Sequence, residues 1–359
     1  MKILFGVQGT GNGHLSRARA LCGHFSKTSA QVDYFFSGRQ REKFFDMDAF
    51  GDFQVNEGLT LVVDNGRVRH LKTVFNGKPL RFLKDVRQLD LDSYDVVISD
   101  FDPVVAWAGK LRKKPVINIG HQPAFHYPVP RGESSLASEL LLKHFAPSTV
   151  HLGLHWHHFG YPILPPIVPT GLTSGEVEKN KVLVYLPFDH PGKIASMLRS
   201  FPQYEFYVYS PEHGMSTDTG NIHQRMISLS GFHRDLLTTN GVICNAGFET
   251  PSECLQLGKK ILVKPLQKQM EQMSNAVALE QLGFGESMND FNFEVMERWL
   301  MSENSGQKVR YPDVAQAIVK WVLSGNWRQS DVKHLSEQLW CETVFTGRDA
   351  APESFPVAA

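Results

Sequence analysis

The sequence predicts an α/β fold made of two Rossmann-like domains that face each other across a central cleft. Strand-length apolar runs alternate with helix-length segments in two successive series, which indicates parallel βαβ units. Residues 160–171, GYPILPPIVPTG, separate the two series, and their four prolines exclude a helix or a central strand. The chain of 359 residues is also longer than one ordinary domain requires.

The first series begins with the strand KILFGV, a helix from His14 to Ser26 and the strand QVDYFFSG. Further along, the strands YDVVISD and KPVINIG flank the helical segment VVAWAGKLRK. After the prolines come KVLVYLPF, a helix over residues 191–200, YEFYVYS, GVICNAG, a helix near residues 250–257 and KILVKPL. Beyond Asn289 the pattern is mainly helical, with an apolar stripe in VAQAIVKWVL.

We therefore expect an N-terminal domain at residues 1–160, a linker at 161–171 and a C-terminal domain at 172–325. Residues 326–359 are expected to form a helix that packs back on the N-terminal domain, followed by a frayed tail. The two domains make a cleft available for substrates.

Composition excludes several classes of protein. Lys plus Arg and Asp plus Glu both total 37, so the formal net charge is zero and no basic surface for nucleic acid is indicated. The four cysteines form no CxxC pair, which argues against a disulfide framework and a structural zinc. Four histidines in HLGLHWHHFGYP, residues 151–162, have no carboxylate or cysteine nearby, and we expect them to pack rather than to bind metal.

The N-terminal apolar run is too short for a signal peptide, and no window resembles a transmembrane helix. We expect a cytoplasmic protein with at most peripheral contact at the inner membrane face. Basic residues at 110–114, KLRKK, together with Arg67, Arg69 and Lys72, suit either anionic headgroups or a solvated face.

A glycine loop follows the first strand and precedes the first helix. Gly9, Gly11 and Gly13 allow backbone amides and a helix N-terminus to approach a ligand closely. The dinucleotide fingerprint GxGxxG would require glycine at position 14, which is His14, and QVDYFFSG lacks the acidic residue that holds a ribose. A nicotinamide or flavin dinucleotide is therefore disfavoured.

His14 is the candidate general base, since it lies at the carboxyl end of the first strand and imidazole titrates near neutral pH. The alternative is a capping or packing histidine. Asp100 and Asp102 close the strand candidate YDVVISDFDP, which ends at the same edge of a parallel sheet. One of them is expected to orient the imidazole, while Asp102 is equally suited to cap the helix after Pro103.

The segment 242–276 predicts a phosphate site. The strand VICN leads into Gly247, and a helix beginning near Thr250 directs the amides of residues 247–250 toward an anion. Glu253, in the first turn, is suited to accept hydrogen bonds from ribose hydroxyls. The alternative is a capping box from Thr250 to Glu253.

This segment resembles the nucleotide-sugar site of GT-B glycosyltransferases, especially family 28 with its peptidoglycan N-acetylglucosaminyltransferase, and more loosely the UDP-glucuronosyl and plant glucosyl enzymes. The opening GTGNGHLSRA is similar to the GTGGH-type acceptor loop of family 28, and the whole chain resembles a branch of predicted transferases labelled teichoic-acid-type. The resemblance implies that a nucleotide-sugar donor, with UDP the expected nucleotide, binds the second domain and an acceptor binds the first.

What the resemblance implies for single residues follows the family motif. Its diphosphate contacts fall on Asn245, Gly247 and Thr250, within a donor loop that also holds Phe248 and Glu249. Its ribose contact falls on Glu253, and its contacts to sugar hydroxyls fall on Glu271 and Gln272. Its acceptor loop falls on Gly11, Asn12 and Gly13, and His121 lies near the region of its acceptor site. Independently of the resemblance, His14 is the expected base and Asp100 its expected partner.

The chain departs from those families at two places. Asn245 replaces a diphosphate-binding histidine of many relatives, and His121 with Gln122 lies where the peptidoglycan enzyme has an acceptor-site glutamate. The acceptor is therefore open, with a cell-envelope glycan or a lipid-linked intermediate as candidates. Retaining GT-B enzymes carry two glutamates eight positions apart, whereas the positions eight before and after Glu253 are Asn245 and Ile261.

We accordingly expect an inverting transferase that needs neither a cofactor nor an obligatory metal, because backbone amides hold the leaving diphosphate. One alternative is an enzyme of the UDP-N-acetylglucosamine 2-epimerase type, which binds the same nucleotide but takes no second substrate. Another is a protein that binds nucleotide sugars without catalysis.

Overall fold

The computed structural model describes residues 1–56, 63–64, 67–68, 79–133, 139, 142–211 and 214–346. Within these ranges the helices are α1 Asn12–Phe25, α2 Pro79–Gln88, α3 Pro103–Leu111, α4 Pro191–Leu198, α5 Leu229–Thr238, α6 Glu249–Leu257, α7 Met270–Gln281, α8 Phe293–Met301, α9 Val314–Leu323 and α10 Gln329–Glu342. Short 3-10 turns lie at Arg41–Lys43, Asp48–Phe50 and Gln122–His126.

A first sheet forms from strands in the order β3-β2-β1-β6-β7-β8, and every neighbouring pair is parallel. These strands are β1 Lys2–Gln8, β2 Gln31–Ser37, β3 Phe53–Asn56, β6 Val96–Asp100, β7 Val116–Gly120 and β8 Val150–Gly153. The order reverses direction between β1 and β6, where Val7 pairs with Asp100. A doubly wound sheet binds ligands at such a switch point, outside the carboxyl ends of its strands.

A second sheet repeats this winding with the order β11-β12-β10-β9-β13-β14-β15, and its switch point lies between β9 and β13. Its strands are β9 Glu178–Tyr185, β10 Glu205–Tyr209, β11 Thr217–Thr219, β12 Ile222–Arg225, β13 Thr239–Asn245, β14 Lys260–Lys264 and β15 Glu286–Ser287. Only the edge pair β11–β12 is antiparallel. Two small antiparallel pairs complete the described strands, β4 Val63–Asp64 with β5 Arg67–Val68 and β16 Lys308–Arg310 with β17 Val344–Thr346.

The central strands are buried on both faces, as parallel strands covered by helices require. All five residues of β6, β7 and β14 are buried, which matches their continuous apolar runs. The two Rossmann-like domains predicted from the alternation are thus confirmed.

The proline-rich segment between the sheets contains no helix or strand beyond one parallel bridge from Leu164 to Leu154. Its apolar side chains are nonetheless buried, since Ile163 and Leu164 are both 0% exposed. Helix α10 closes over them, because Ser336 Oγ and Trp340 Nε1 both donate to the carbonyl of Ile163. One continuous apolar core therefore contains residues of both domains.

The basic residues considered for headgroup contact are partly used inside the fold. Arg112 donates to the carbonyls of Val86 and Arg87, and Lys114 Nζ donates to those of Asp92 and Tyr94. Arg69, Lys72 and the tail at 351–359 lie outside the described residues. Within the part of the chain that the structure describes, no helix has the length and apolar character needed to cross a bilayer.

Candidate active site between the two sheets

The two switch points face each other across the interdomain contact. Helix α1 begins one short loop after β1, and helix α6 begins one short loop after β13. A Cβ added to Gly13 would lie 2.7 Å from Glu249 Cγ, so the starts of the two helices nearly touch. The glycine is needed here because no side chain fits between the helices.

His14 and Asp100 form the pair predicted at the edge of the first sheet. His14 Nδ1 lies 2.7 Å from Asp100 Oδ1, and the side chains are 13% and 1% exposed respectively. Helix α1 carries the imidazole to the switch point, and the last residue of β6 supplies the carboxylate. The geometry is that of a base oriented by an acidic residue.

The ionisation of Asp100 decides how the imidazole is oriented. Burial raises the pKa of this carboxyl, but the charges of Arg17 and His14 and their hydrogen bonds outweigh burial and lower its pKa below the ordinary value. An ionised carboxylate only accepts, so Nδ1 carries its proton toward Asp100. Arg17 Nη2 lies 3.0 Å from the same nitrogen, but the carboxylate is closer and sets the tautomer. Nε2 is then the unprotonated nitrogen that can act as base.

Arg17 is a functional residue that the sequence reasoning missed. It lies one helical turn after His14, is 3% exposed, and donates to both oxygens of Asp100 at 2.8 and 2.7 Å. Its third contact is to Glu249 Oε1 in the second domain. The guanidinium of Arg17 therefore connects the His14–Asp100 pair of the first domain to the first turn of α6. The i, i+3 spacing from His14 was the available signal.

Asp102 takes the capping alternative. Its Oδ1 accepts the amide of Val105 at 2.9 Å at the start of α3, and its Oδ2 accepts from Ser37 Oγ. Asp102 is 0% exposed. Burial raises its pKa to about 6, although both hydrogen bonds act in the opposite direction.

A pH dependence of stability follows from Asp102. The folded carboxyl titrates near 6 and the unfolded one near 3.8, so folding is favoured below 3.8 and this contribution is lost as the pH rises through 6. Asp102→Asn keeps the cap, and we expect its free energy of unfolding to fall less than that of the wild type between pH 4 and pH 7.5. The fall in the free energy of unfolding between these pH values is expected to differ between the two proteins by at most about 3 kcal/mol. Urea unfolding at both pH values measures it, and equal changes in the two proteins would contradict the assignment.

The acceptor-loop residues lie against both domains. A Cβ on Gly11 would lie 3.4 Å from His14 Cδ2 and 4.0 Å from Nε2, so the loop passes directly beside the imidazole. Asn12 Nδ2 donates to the hydroxyl of Tyr185 at 2.9 Å, at the end of β9 in the second domain. The loop predicted to bind the acceptor thus borders the base and also contributes to the interdomain contact.

His121 lies inside the interdomain contact, 1% exposed. Its ring stacks on Phe248 with centroids 4.1 Å apart, its Nδ1 lies 2.8 Å from the carbonyl of Leu154, and its Nε2 lies 2.6 Å from Asn275 Oδ1. Burial lowers its pKa. His121 and Phe248 were predicted for the acceptor and the donor respectively, and in this structure they bind each other across the two domains.

Helix α6 begins at Glu249 with Phe248 as its N-cap residue, and Phe248 makes no side-chain capping bond. The capping box from Thr250 to Glu253 is therefore wrong, because Thr250 already lies within the helix. One detail of the phosphate prediction also needs correction: the amide of Gly247 donates to the carbonyl of Asn245 at 2.8 Å. The amide of Gly247 is therefore not available to an anion, and only the amides at the start of the helix are. A Cβ on Gly247 would meet nothing within 4 Å, so space is open there.

Polar groups surround this helix start. Asn245 Nδ2 donates to Asp189 Oδ2 at 3.1 Å and to the carbonyl of Lys264, while Lys264 Nζ lies 2.7 Å from Asp189 Oδ1. The Oδ1 atom of Asn245 is buried without a hydrogen-bond partner. Asp189 and Lys264 had no sequence motif to mark them, because only the sheet brings their loops together.

Glu253 is 6% exposed, and its Oε2 lies 3.4 Å from His233 Nε2 on α5. The contact with this carboxylate raises the pKa of His233 against the effect of burial. The carboxylate of Glu253 thus lies buried beside His233, and its contact to a ribose stays a prediction.

Glu271 and Gln272, the predicted sugar-binding pair, have different partners in the structure. Glu271 Oε2 accepts from Gln122 Nε2 of the first domain at 3.1 Å, so it lies in the interdomain contact. Gln272 is 8% exposed, and its Oε1 accepts the amide of Leu266. Gln272 therefore fixes the loop after β14 in this arrangement.

The histidine cluster packs as the sequence suggested. His155 is 0% exposed and contacts the rings of Trp156 and Phe159, and His157 stacks on His158. Among the described residues, no group of three or more histidine, cysteine, aspartate or glutamate side chains is arranged to hold a metal ion.

Solved structures share this fold over almost the whole chain. The kitacinnamycin glycotransferase aligns with a TM-score of 0.57 at 13% identity, covering 94% of this chain and 99% of that one. SsfS6 of Streptomyces sp. SF2575 complexed with thymidine diphosphate gives 0.57 at 13% identity, and Arabidopsis thaliana UGT89C1 complexed with UDP gives 0.57 at 10%, both with the same coverage. At these identities the likeness shows the fold.

No curated protein sequence matches the chain. The model of glycosyl transferase family 1 matches residues 1–302. The match is to family 1, so the closer likeness to family 28 and to a teichoic-acid-type branch remains a prediction, and the 2-epimerase alternative gains no support. Because the model covers most of the sequence, the protein belongs to glycosyl transferase family 1 and is a glycosyltransferase with the GT-B fold.

Proposed function

We propose that the protein transfers a sugar from a nucleoside diphosphate donor, with UDP as the nucleotide, to an acceptor hydroxyl with inversion at the anomeric carbon. The observation that carries this proposal is the His14–Asp100 pair, which Arg17 connects to Glu249 at the uncapped start of α6. A base and an anion-binding helix terminus then lie on opposite sides of one cleft.

The first half of the chemistry belongs to the first domain. In this reaction the acceptor hydroxyl binds beside Gly11, and Nε2 removes its proton as the oxygen attacks the anomeric carbon. Asp100 stabilises the imidazolium that forms. The bond from the anomeric carbon to the donor phosphate oxygen breaks in line with this attack, which inverts the configuration.

The second half belongs to the second domain. The diphosphate takes up negative charge as it leaves, and the amides at the start of α6 stabilise this charge through the helix dipole. Thr250 adds a hydroxyl at the same place, and Glu253 holds the ribose behind it. The helix amides and the Thr250 hydroxyl stabilise the charge of the leaving diphosphate, which a metal ion would otherwise do. We therefore propose that transfer proceeds without an obligatory metal.

The nucleotide and the acceptor are assigned by likeness. SsfS6 and UGT89C1, which share the fold, are complexed with thymidine diphosphate and UDP respectively. The resemblance to family 28 favours UDP and a cell-envelope glycan or lipid-linked intermediate as acceptor. Glu271, which faces Gln122 across the cleft, is the proposed contact to the sugar hydroxyls.

Isothermal titration calorimetry with UDP, TDP and GDP tests the donor. We expect UDP to bind the wild type with micromolar affinity and Glu253→Ala to bind it at least about tenfold more weakly, because a buried acceptor of ribose hydroxyls is lost. Glu253→Gln, which preserves shape, is expected to weaken binding less. The matched control is Glu294→Ala, an exposed glutamate in the first turn of α8. If the wild type bound none of the three nucleotides, the proposed donor would be contradicted.

A further inference from the structure

A basic pocket lies beside the glycine loop on the first domain. Its volume is about 440 Å³, and it is lined by Arg39, Gln40, Arg41, Glu42, Val55 and Arg81. Among the described residues of the lining, three arginines and one glutamate give an excess of positive charge, although the whole chain has no net charge. Such an excess within one concavity favours an anionic ligand.

Arg39 connects this pocket to the proposed acceptor loop. Its Nη1 donates to Asn12 Oδ1 at 3.2 Å, and its guanidinium lies 5.3 Å from the centre of the Phe44 ring. A Cβ on Gly9 would lie 2.6 Å from that ring, so the loop after β2 is seated directly on the glycine loop. Asn12 belongs to the glycine loop and begins α1, so Arg39 places the pocket beside the loop that precedes the base.

Arg41 is held in a similar way. It donates to the carbonyl of Phe53, and its guanidinium lies 4.3 Å from the centre of the Phe53 ring. The aromatic ring and the hydrogen bond of each arginine restrict Arg39 and Arg41 in the lining of the pocket. A planar guanidinium matches two phosphate oxygens at once, which a lysine does not.

We propose that this pocket binds a phosphate group of the acceptor while the acceptor hydroxyl lies at His14. The inference rests on the proposed function and adds to it the chemical class of the acceptor, a phosphorylated molecule. Both a small phosphate ester and a phospholipid headgroup provide this chemistry. The arginines bind the phosphate end of the acceptor and His14 contacts its hydroxyl, so recognition depends on both contacts.

Calorimetry with phenyl phosphate, added to protein saturated with UDP, tests the pocket without interference from the donor site. We expect saturable binding that weakens at least about tenfold in Arg41→Gln and in Arg81→Gln, because each removes a charge-assisted pair. The matched control is Arg199→Gln, an exposed arginine that follows α4 in the second domain. The proposal would be overturned if Arg199→Gln weakened binding by the same factor. It would also be overturned if the wild type bound neither phenyl phosphate nor the anionic vesicles described next.

A second arm separates the two sources of phosphate. Vesicles of phosphatidylcholine with phosphatidylglycerol are compared with vesicles of phosphatidylcholine alone in a flotation assay. Arginine-dependent flotation with the anionic vesicles supports a lipid headgroup, whereas arginine-dependent binding of phenyl phosphate alone supports a small ester. UDP affinity of each variant is measured in parallel. Pocket-dependent phosphate binding without nucleotide binding would refute the donor assignment and retain the anion site.

Discussion

Replacing His14 by alanine is expected to slow sugar transfer by about 10²–10⁴-fold while the affinity for UDP stays unchanged. The reason is that Nε2 is the proposed base and belongs to the first domain, whereas the nucleotide is bound by the second. Transfer is measured as UDP release from a UDP-sugar in the presence of an acceptor identified by screening. Calorimetry with UDP gives the affinity of the same preparation.

Two further variants make this result interpretable. Asp100→Asn is expected to lower kcat with little change in KM, since the amide no longer holds the imidazole in the required tautomer. His24→Ala is the matched control, because His24 lies on the same helix but pairs with Asp313 away from the cleft. Transfer by His14→Ala at the wild-type rate would remove His14 as the base, and intact UDP binding with lost turnover would exclude a non-catalytic binding protein.

Replacing Arg17 by alanine is expected to destabilise the protein by about 3–5 kcal/mol and to abolish transfer. The substitution leaves two buried carboxylates, Asp100 and Glu249, without their shared cation. Both are less than one tenth exposed, so water cannot replace the guanidinium. Urea unfolding of the wild type and the variant measures the change in free energy.

The controls for Arg17 use the same helix and the same network. Arg19→Ala removes an arginine of α1 whose partners are the carbonyls of Phe45 and Asp46, and about 1 kcal/mol is expected. In Arg17→Ala combined with Glu249→Gln, one stranded charge is absent, so the double variant is expected to be more stable than the sum of the single effects predicts. Equal losses in Arg17→Ala and Arg19→Ala would show that the network contributes nothing beyond ordinary hydrogen bonds.

Much of the fold was predictable because its signals are local. The runs KILFGV and KILVKPL are apolar over the length of a strand, and the strands β1 and β14 lie within or around them. Helix α1 begins at Asn12, two residues before the predicted start, since the glycine loop ends earlier than the apolar pattern indicates. Such patterns reflect burial on both faces of a parallel sheet, which any sequence with this fold must provide.

Part of the candidate site was predictable for the same reason. His14 follows the first strand at the start of α1 and Asp100 ends β6, and neighbouring parallel strands place their carboxyl ends at one edge, so their proximity was predictable from topology. The partners of His121 and Glu249 were not predictable. His121 stacks on Phe248, and Glu249 pairs with Arg17 232 positions away, and both contacts depend on how the two domains meet.

The sequence by itself determined the two α/β domains, the glycine loop with its neighbouring histidine, and the second strand–glycine–helix turn. These features depend on residue type and spacing within one βαβ unit, where the periodicity of apolar residues carries the information. Tertiary structure decided which of the two aspartates, Asp100 and not Asp102, contacts His14. It alone decided that Arg17 bridges the domains and that His121 is buried. The physical reason is that a buried polar group takes whichever partner the packing of distant elements brings within hydrogen-bond distance, and sequence spacing does not encode that proximity.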